Sequence, residues 1–172
     1  MRAVIVGCGR VGATLAAALD RAGHRVLILD VSTAAFDRLP TTFSGEAVRG
    51  DGTDEDTLHR AGAAGADCFF ALTEGDNRNI MAAQIARESL EIRDVIAKIN
   101  DPVRARAYAD LGVATICRTT IMADTLLGHI GVSGSGDPPI HLASEHDHPT
   151  DAPQGVAAPG SAPARIRIIG EA

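Results

Sequence analysis

Gly7, Gly9 and Gly12, spaced Gly-x-Gly-x-x-Gly inside VIVGCGRVG (Val4–Gly12), are residues whose type and spacing suit the holding of phosphate. The first glycine of such a loop permits a tight turn out of a strand. The second lets the backbone approach phosphate without a Cβ in the way, and the third lets a helix pack closely on the strand. Free N–H groups at the helix start, with their partial positive charge, then face the anion. Asp30 closes the next apolar run, Arg25–Leu29. A carboxylate there accepts both hydroxyls of an adenosine ribose and repels a 2′-phosphate, so NADP is disfavoured; NAD, ATP, ADP and AMP share the diol and stay equivalent. Arg10 enters the helix where a guanidinium can fork onto a terminal phosphate, although a solvated arginine fits the position equally well. Cys8 sits where a helix start lowers a thiol pKa, but a small buried residue is the favoured reading.

Such a loop works only between a strand and a helix, and the pattern along the chain supplies both. Apolar runs at Ala3–Val6, Arg25–Leu29, Ala47–Val48, Cys68–Leu72, Val95–Ile99 and Val113–Ile116 read as six strands. They are short and continuous, not alternating, as in parallel strands buried on both faces. Helical spacing or capping signals lie between them: Val11–Arg21 stopped by Gly23, a short helix from Ser32 to Leu39, Asp54–Arg60, and Arg78–Leu90 behind an Asp76 cap. Two more are the helix opened by Asp101-Pro102 and ended by Gly112, and Thr120–Ile130. The reading is an α/β Rossmann-type doubly wound fold, a six-stranded parallel sheet ordered 3-2-1-4-5-6. Composition changes after Gly131, and residues 133–172 hold six of the eight prolines. The expected organisation is a nucleotide-binding domain at 1–131 and a low-complexity, mostly disordered tail at 132–172, in which RIRII (Arg165–Ile169) could add one strand.

Composition narrows the function classes. Net charge is −6, which argues against a phosphate-backbone binder, and 3% aromatics argues against base-stacking modules. Three widely spaced cysteines, Cys8, Cys68 and Cys117, fit neither a disulfide framework nor a zinc site. No apolar run reaches 18 residues and no signal organisation opens the chain, so a cytoplasmic setting is expected.

The segment GDGTDEDTLHRAGAAGADCFFALTEGDNRN (Gly50–Asn79), together with VIVGCGRVG, resembles the TrkA-N family, also called KTN or RCK, the regulatory nucleotide-binding subunits of Trk-type potassium uptake systems. The shared features are Gly-Asp after strand three, the Leu…Ala-Gly…Ala-Asp run into strand four, and the Ala-Leu-Thr turn with its acidic residue and Asp-Asn. The resemblance spans roughly residues 1–130 and implies a Rossmann-type domain in a cytoplasmic ring beneath a membrane potassium transporter. That ring would be a homo-oligomer or a hetero-oligomer with a related TrkA-N subunit. It implies that Gly7, Cys8, Gly9, Arg10, Val11 and Gly12 form the phosphate loop and Asp30 the ribose anchor. Asp51 and Gly52 would lie beside the adenine, Thr73 and Glu74 at the mouth of the cleft, and Lys98, the only lysine, on strand five. The implied ligand is NAD(H) or ATP/ADP. Two departures stand out. Cys117-Arg118-Thr119-Thr120 replaces the family's proline after strand six, and the tail stands where many members carry a second regulatory domain, which implies reliance on a partner subunit.

The rival reading is a small NAD-dependent oxidoreductase. It needs a proton donor over the nicotinamide and a substrate site. Tyr108 has Gly112, not lysine, four residues on, and His24, His59 and His129 have no evident carboxylate partner. The expectation is therefore a non-enzyme. His141, His146 and His148 with Glu145 and Asp147 read as a solvated stretch in preference to a metal site, and Asp51, Asp54 and Asp56 lack the glycine and closing glutamate of a calcium loop.

Overall fold

The computed structural model describes residues 1–142 and 165–168. Strands β1 (Arg2–Val6), β2 (Arg25–Asp30), β3 (Glu46–Arg49), β4 (Cys68–Ala71), β5 (Asp94–Lys98) and β6 (Ala114–Ile116) are the six expected from the apolar runs. They alternate with α1 (Arg10–Arg21), a 3₁₀ helix at Thr33–Arg38, α2 (Glu55–Ala61), α3 (Asp76–Glu88), α4 (Pro102–Asp110) and α5 (Arg118–His129). All six strands pair in parallel in the order 3-2-1-4-5-6.

Two short strands from the expected tail extend this sheet. β7 (Ile140–His141) pairs antiparallel with β6, and β8 (Arg165–Ile168) pairs in parallel with β3, so the sheet has eight strands. RIRI thus does form a strand. The Arg167 guanidinium helps seat it by donating to the Ala61 carbonyl (3.2 Å) at the end of α2, where a cation meets the negative end of the helix. Of the tail expected to be disordered, residues 132–142 are described, with the Ser135 N–H donating to Asp124 Oδ1 (2.8 Å), whereas 143–164 and 169–172, with His146 and His148, lie outside the described residues.

Alternation along the strands loads both faces of the sheet. Val4, Val6, Leu27 and Leu29 pack with Leu58 of α2, Ile80, Ala83 and Ala86 of α3 and Ala105 of α4. Ile5, Val26 and Ile28 pack with Ala13 and Ala16 of α1 and with Phe36 and Phe43. The alanine-rich helices sit close on the sheet because their inward residues carry one methyl group each. The chain crosses from one face to the other between β3 and β4, so β1 and β4 are neighbours whose following connections diverge. A crevice opens at their C-terminal ends.

The local signals have physical outcomes. Asp54 caps α2 by accepting from the Thr57 N–H (3.1 Å), and a hydrogen bond from the Thr57 hydroxyl is the main reason its carboxyl lies below the usual range. Gly62 ends that helix in the left-handed region. Asp101 caps α4, accepting from the N–H groups of Val103 and Arg104. Asp76 is not a cap: Gly75 holds that position and Asp76 is the first residue of α3, its carboxylate turned to the β5–α4 connection. α5 begins at Arg118, two residues earlier than expected.

Among the residues whose burial is described, the buried clusters end at Cys117. A chain ending at Gly131 is expected to unfold in one cooperative transition by circular dichroism. Loss of that transition would make residues 132–172 part of the folding unit.

Candidate functional site

The turn from β1 into α1 leaves almost no space. Gly7 has φ +104°, and a Cβ on it would lie 2.8 Å from the Thr73 nitrogen and 2.9 Å from the Leu72 carbonyl carbon. A Cβ on Gly12 would lie 2.0 Å from the Gly7 oxygen. Gly9 differs: nothing stands within 4 Å of its notional Cβ, so this glycine faces open space, as a backbone approached by a ligand requires. Gly52 is in the β3–α2 connection, where a Cβ on it would come within 2.2 Å of the Val6 side chain.

Asp30 is half-buried and already tied to the loop. Its Oδ2 accepts from the Cys8 N–H (2.8 Å) and its Oδ1 from the Ser32 N–H (2.9 Å). Each carboxylate oxygen keeps a free lone pair for a further donor. Cys8 is buried and donates its thiol to the Ala35 carbonyl (3.3 Å). Burial first, and then the Asp30 charge, push that thiol up to about 11, against the opposing pull of Arg38. Its side chain is therefore a packing group, and only its backbone N–H belongs to the loop. Asp51 Oδ1 accepts from the Thr53 N–H (2.9 Å) and hydroxyl (2.8 Å), which shapes the β3–α2 connection.

On the far side, Lys98 is only 5% exposed, and its ammonium meets Glu74 Oε1 at 3.7 Å. The glutamate side chain is 82% exposed, so this pairing screens a buried charge weakly.

These groups line one cleft of about 570 Å³ at the C-terminal ends of β1, β2, β4 and β5. Gly7, Cys8, Gly9, Arg10, Val11, Asp30, Asp51, Gly52, Thr73, Glu74 and Lys98 all face it. Gly12 does not; it lies beneath the turn, in keeping with its packing role. Three arginines that the sequence reading did not single out for the site, Arg38, Arg78 and Arg118, share the lining. Five cations thus stand against the carboxylates of Asp30, Asp51 and Glu74, in a chain of net charge −6. A second hollow of about 560 Å³, holding His24 and Arg25, lies at the N-terminal ends of the strands, where open α/β sheets do not present helix N-termini. Among the described residues no group of histidine, cysteine and carboxylate side chains could hold a metal, and no helix is long and apolar enough to cross a membrane.

Residues 3–119 match the TrkA-N domain. The chain belongs to this family. It is 44% identical over 135 residues to the Trk system potassium uptake protein TrkA of Streptomyces coelicolor, covering 78% of this chain and 60% of that protein. The chain thus spans about three fifths of the length of that relative. Among solved structures, the Kef C-terminal domain of Shewanella denitrificans in an AMP-bound form superposes with a TM-score of 0.60 at 23% identity, over 77% of this chain and 84% of that one. The GsuK channel bound to NAD superposes with a TM-score of 0.61 at 21% identity, over 74% of this chain and 23% of that one. At these identities the two structures speak to the fold of the TrkA-N domain.

The glycine geometry separates two effects. Gly12→Ala is expected to lower stability by about 1–3 kcal/mol in chemical denaturation, because backbone must move to admit the methyl group. Gly9→Ala is expected to leave stability unchanged and to alter only what the cleft binds. Equal destabilisation by both would mean that the loop serves packing alone.

Proposed function

We propose that the cleft binds an adenine nucleotide, NAD(H) or ATP/ADP, and that the chain is a cytoplasmic regulatory subunit of a Trk-type potassium transport system. The observation that carries this reading is the convergence of the open Gly9 turn, the Asp30 carboxylate and five cations on one cleft. The α1 N-terminus and the Gly9 backbone suit the phosphates, and the free lone pairs of Asp30 suit the ribose diol. Arg10, exposed at the first turn of α1, suits a terminal phosphate. Asp30 opposes the 2′-phosphate of NADP, although Arg38 stands nearby on the 3₁₀ helix. The AMP-bound and NAD-bound relatives of like fold support the ligand class, and the TrkA relative supports the transport system.

Binding without chemistry is the better supported use of the cleft. Among the described residues its lining includes no histidine or tyrosine, and the one thiol there is pushed up to about 11, so a small NAD-dependent oxidoreductase lacks an evident proton donor among them beyond the buried Lys98. An oligomer is supported by Met122 and Leu126 of α5 and Ile130 at its C-cap, which follow one another at helical spacing and are all exposed. Nucleotides that bind two ring shapes differently would shift the ring between them, and the membrane pore would receive that difference in binding free energy.

A thermal-shift series with NADH, NAD, ATP, ADP and NADPH tests the reading. A rise in Tm with at least one of the first four, and none with NADPH, is expected, because a ligand that binds only the folded state stabilises it by mass action. Absence of any shift would remove the nucleotide reading. Arg10→Ala then reads the ligand's phosphates. ATP affinity is expected to fall by about tenfold, about 1.4 kcal/mol, with NADH affinity changed much less. Equal losses would make Arg10 a support for the loop, and a loss confined to NADH would exclude ATP as the ligand it reads.

A further inference from the structure

We propose that Asn79, which does not itself line the cleft, is the positioning residue that sets nucleotide affinity, holding Thr73 and Lys98 at the mouth of the cleft. This rests on the nucleotide reading of that cleft. Asn79 lies on the first turn of α3 and is wholly buried. Its Oδ1 accepts from the Thr73 N–H (2.8 Å) and the Thr73 hydroxyl (2.7 Å). Its Nδ2 donates to the Thr73 carbonyl (3.0 Å) and the Lys98 carbonyl (2.8 Å). A side-chain amide has two donor hydrogens and two acceptor lone pairs, so all four are used. The amide therefore has one orientation: turned over, its NH₂ would face the Thr73 N–H and its oxygen would face two carbonyls. Aspartate supplies no donors, leucine supplies nothing polar, and glutamine is one methylene too long for a closed site.

The place of this amide in the sheet gives it consequence. The β4–β5 ladder ends at the pair Ala71↔Ala97, so Thr73 and Lys98 lie beyond the last rung. Asn79 is the link that replaces the missing rungs. The Thr73 N–H it holds belongs to the peptide against which Gly7 is pressed, at 2.8 Å from the notional Gly7 Cβ. Holding that N–H on Asn79 keeps it away from the glycine turn. On the other side, fixing the Lys98 carbonyl fixes the backbone from which its buried ammonium reaches the cleft. Asp76, three residues earlier and the first residue of α3, holds the next stretch, accepting from the Asn100 N–H (3.0 Å), the Asn100 amide (3.0 Å) and the Asp101 N–H (3.3 Å). The start of α3 thus sets the positions of the glycine turn, the lysine and the start of α4 together.

The test compares variants of equal stability. Asn79→Asp and Asn79→Leu are set beside Leu58→Ala, a core substitution at a residue that does not itself line the cleft, and nucleotide affinity is measured by calorimetry well below every Tm. The probe is whichever of ATP, ADP or NADH binds the unaltered chain most tightly. Both Asn79 variants are expected to lose affinity by about tenfold or more, the scale of lost hydrogen bonds to buried groups, while Leu58→Ala retains it. Combined with Lys98→Met, the Asn79 losses are expected to be less than additive, because the two residues act through one contact. If the Asn79 variants bind as Leu58→Ala does, or if the losses simply add, the positioning role is overturned and the nucleotide reading stands. If the unaltered chain binds none of the three probes, the nucleotide reading falls and the positioning role with it. Should the charged or apolar side chain prevent folding, Asn79→Ser, small enough to admit a bridging water, carries the same comparison.

Discussion

The turn between β1 and α1 must be made of backbone alone. Gly7 donates to the Leu29 carbonyl at 2.7 Å, presses on the Thr73 peptide, and receives Gly12 against its own carbonyl. Three elements meet there without a side chain between them. That contact sets how deeply α1 seats on the sheet, and so where its free N–H groups point. It also brings the ends of β2 and β4 close enough to form the two walls of one cleft. The crevice between diverging crossovers is a property of the topology, but its dimensions follow from this close approach.

Electrostatics is arranged around the same turn. The chain as a whole is acidic, yet Arg10, Arg38, Arg78, Lys98 and Arg118 gather at one cleft. Such local concentration against the net charge favours an anionic ligand at that place. Asp30 is a carboxylate among them with a double duty: it ties the Cys8 and Ser32 N–H groups and still offers lone pairs outward. The loop is thereby held in shape without a ligand, which lowers the ordering cost of binding.

Much of the fold was legible because its signals are local. Short, unbroken apolar runs announced strands buried on both faces, and Asp54, Asp101 and Gly62 marked helix ends through hydrogen bonds that span three or four residues. The local rule failed where a long-range partner competed for the same group. Asp76 resembled a cap, but Asn100 and Asp101 take up its carboxylate from the β5–α4 connection. β7, only two residues long, has no periodicity to read, and β8 carries an alternating pattern that named a strand without naming its partner.

By itself the sequence determined the Gly7–Gly12 turn, the carboxylate of Asp30 at the end of β2, the order of the central strands and the family, because each is written in the spacing of neighbouring residues. Tertiary structure alone decided the membership of Arg38, Arg78 and Arg118 in the cleft and the four bonds of Asn79. An arginine or an asparagine on a helix has the same local pattern whether it faces water or a partner. Which it faces depends on the register between strands far apart in the chain, here the ladder that stops at Ala71 and Ala97, beyond which Asn79 bonds to both Thr73 and Lys98.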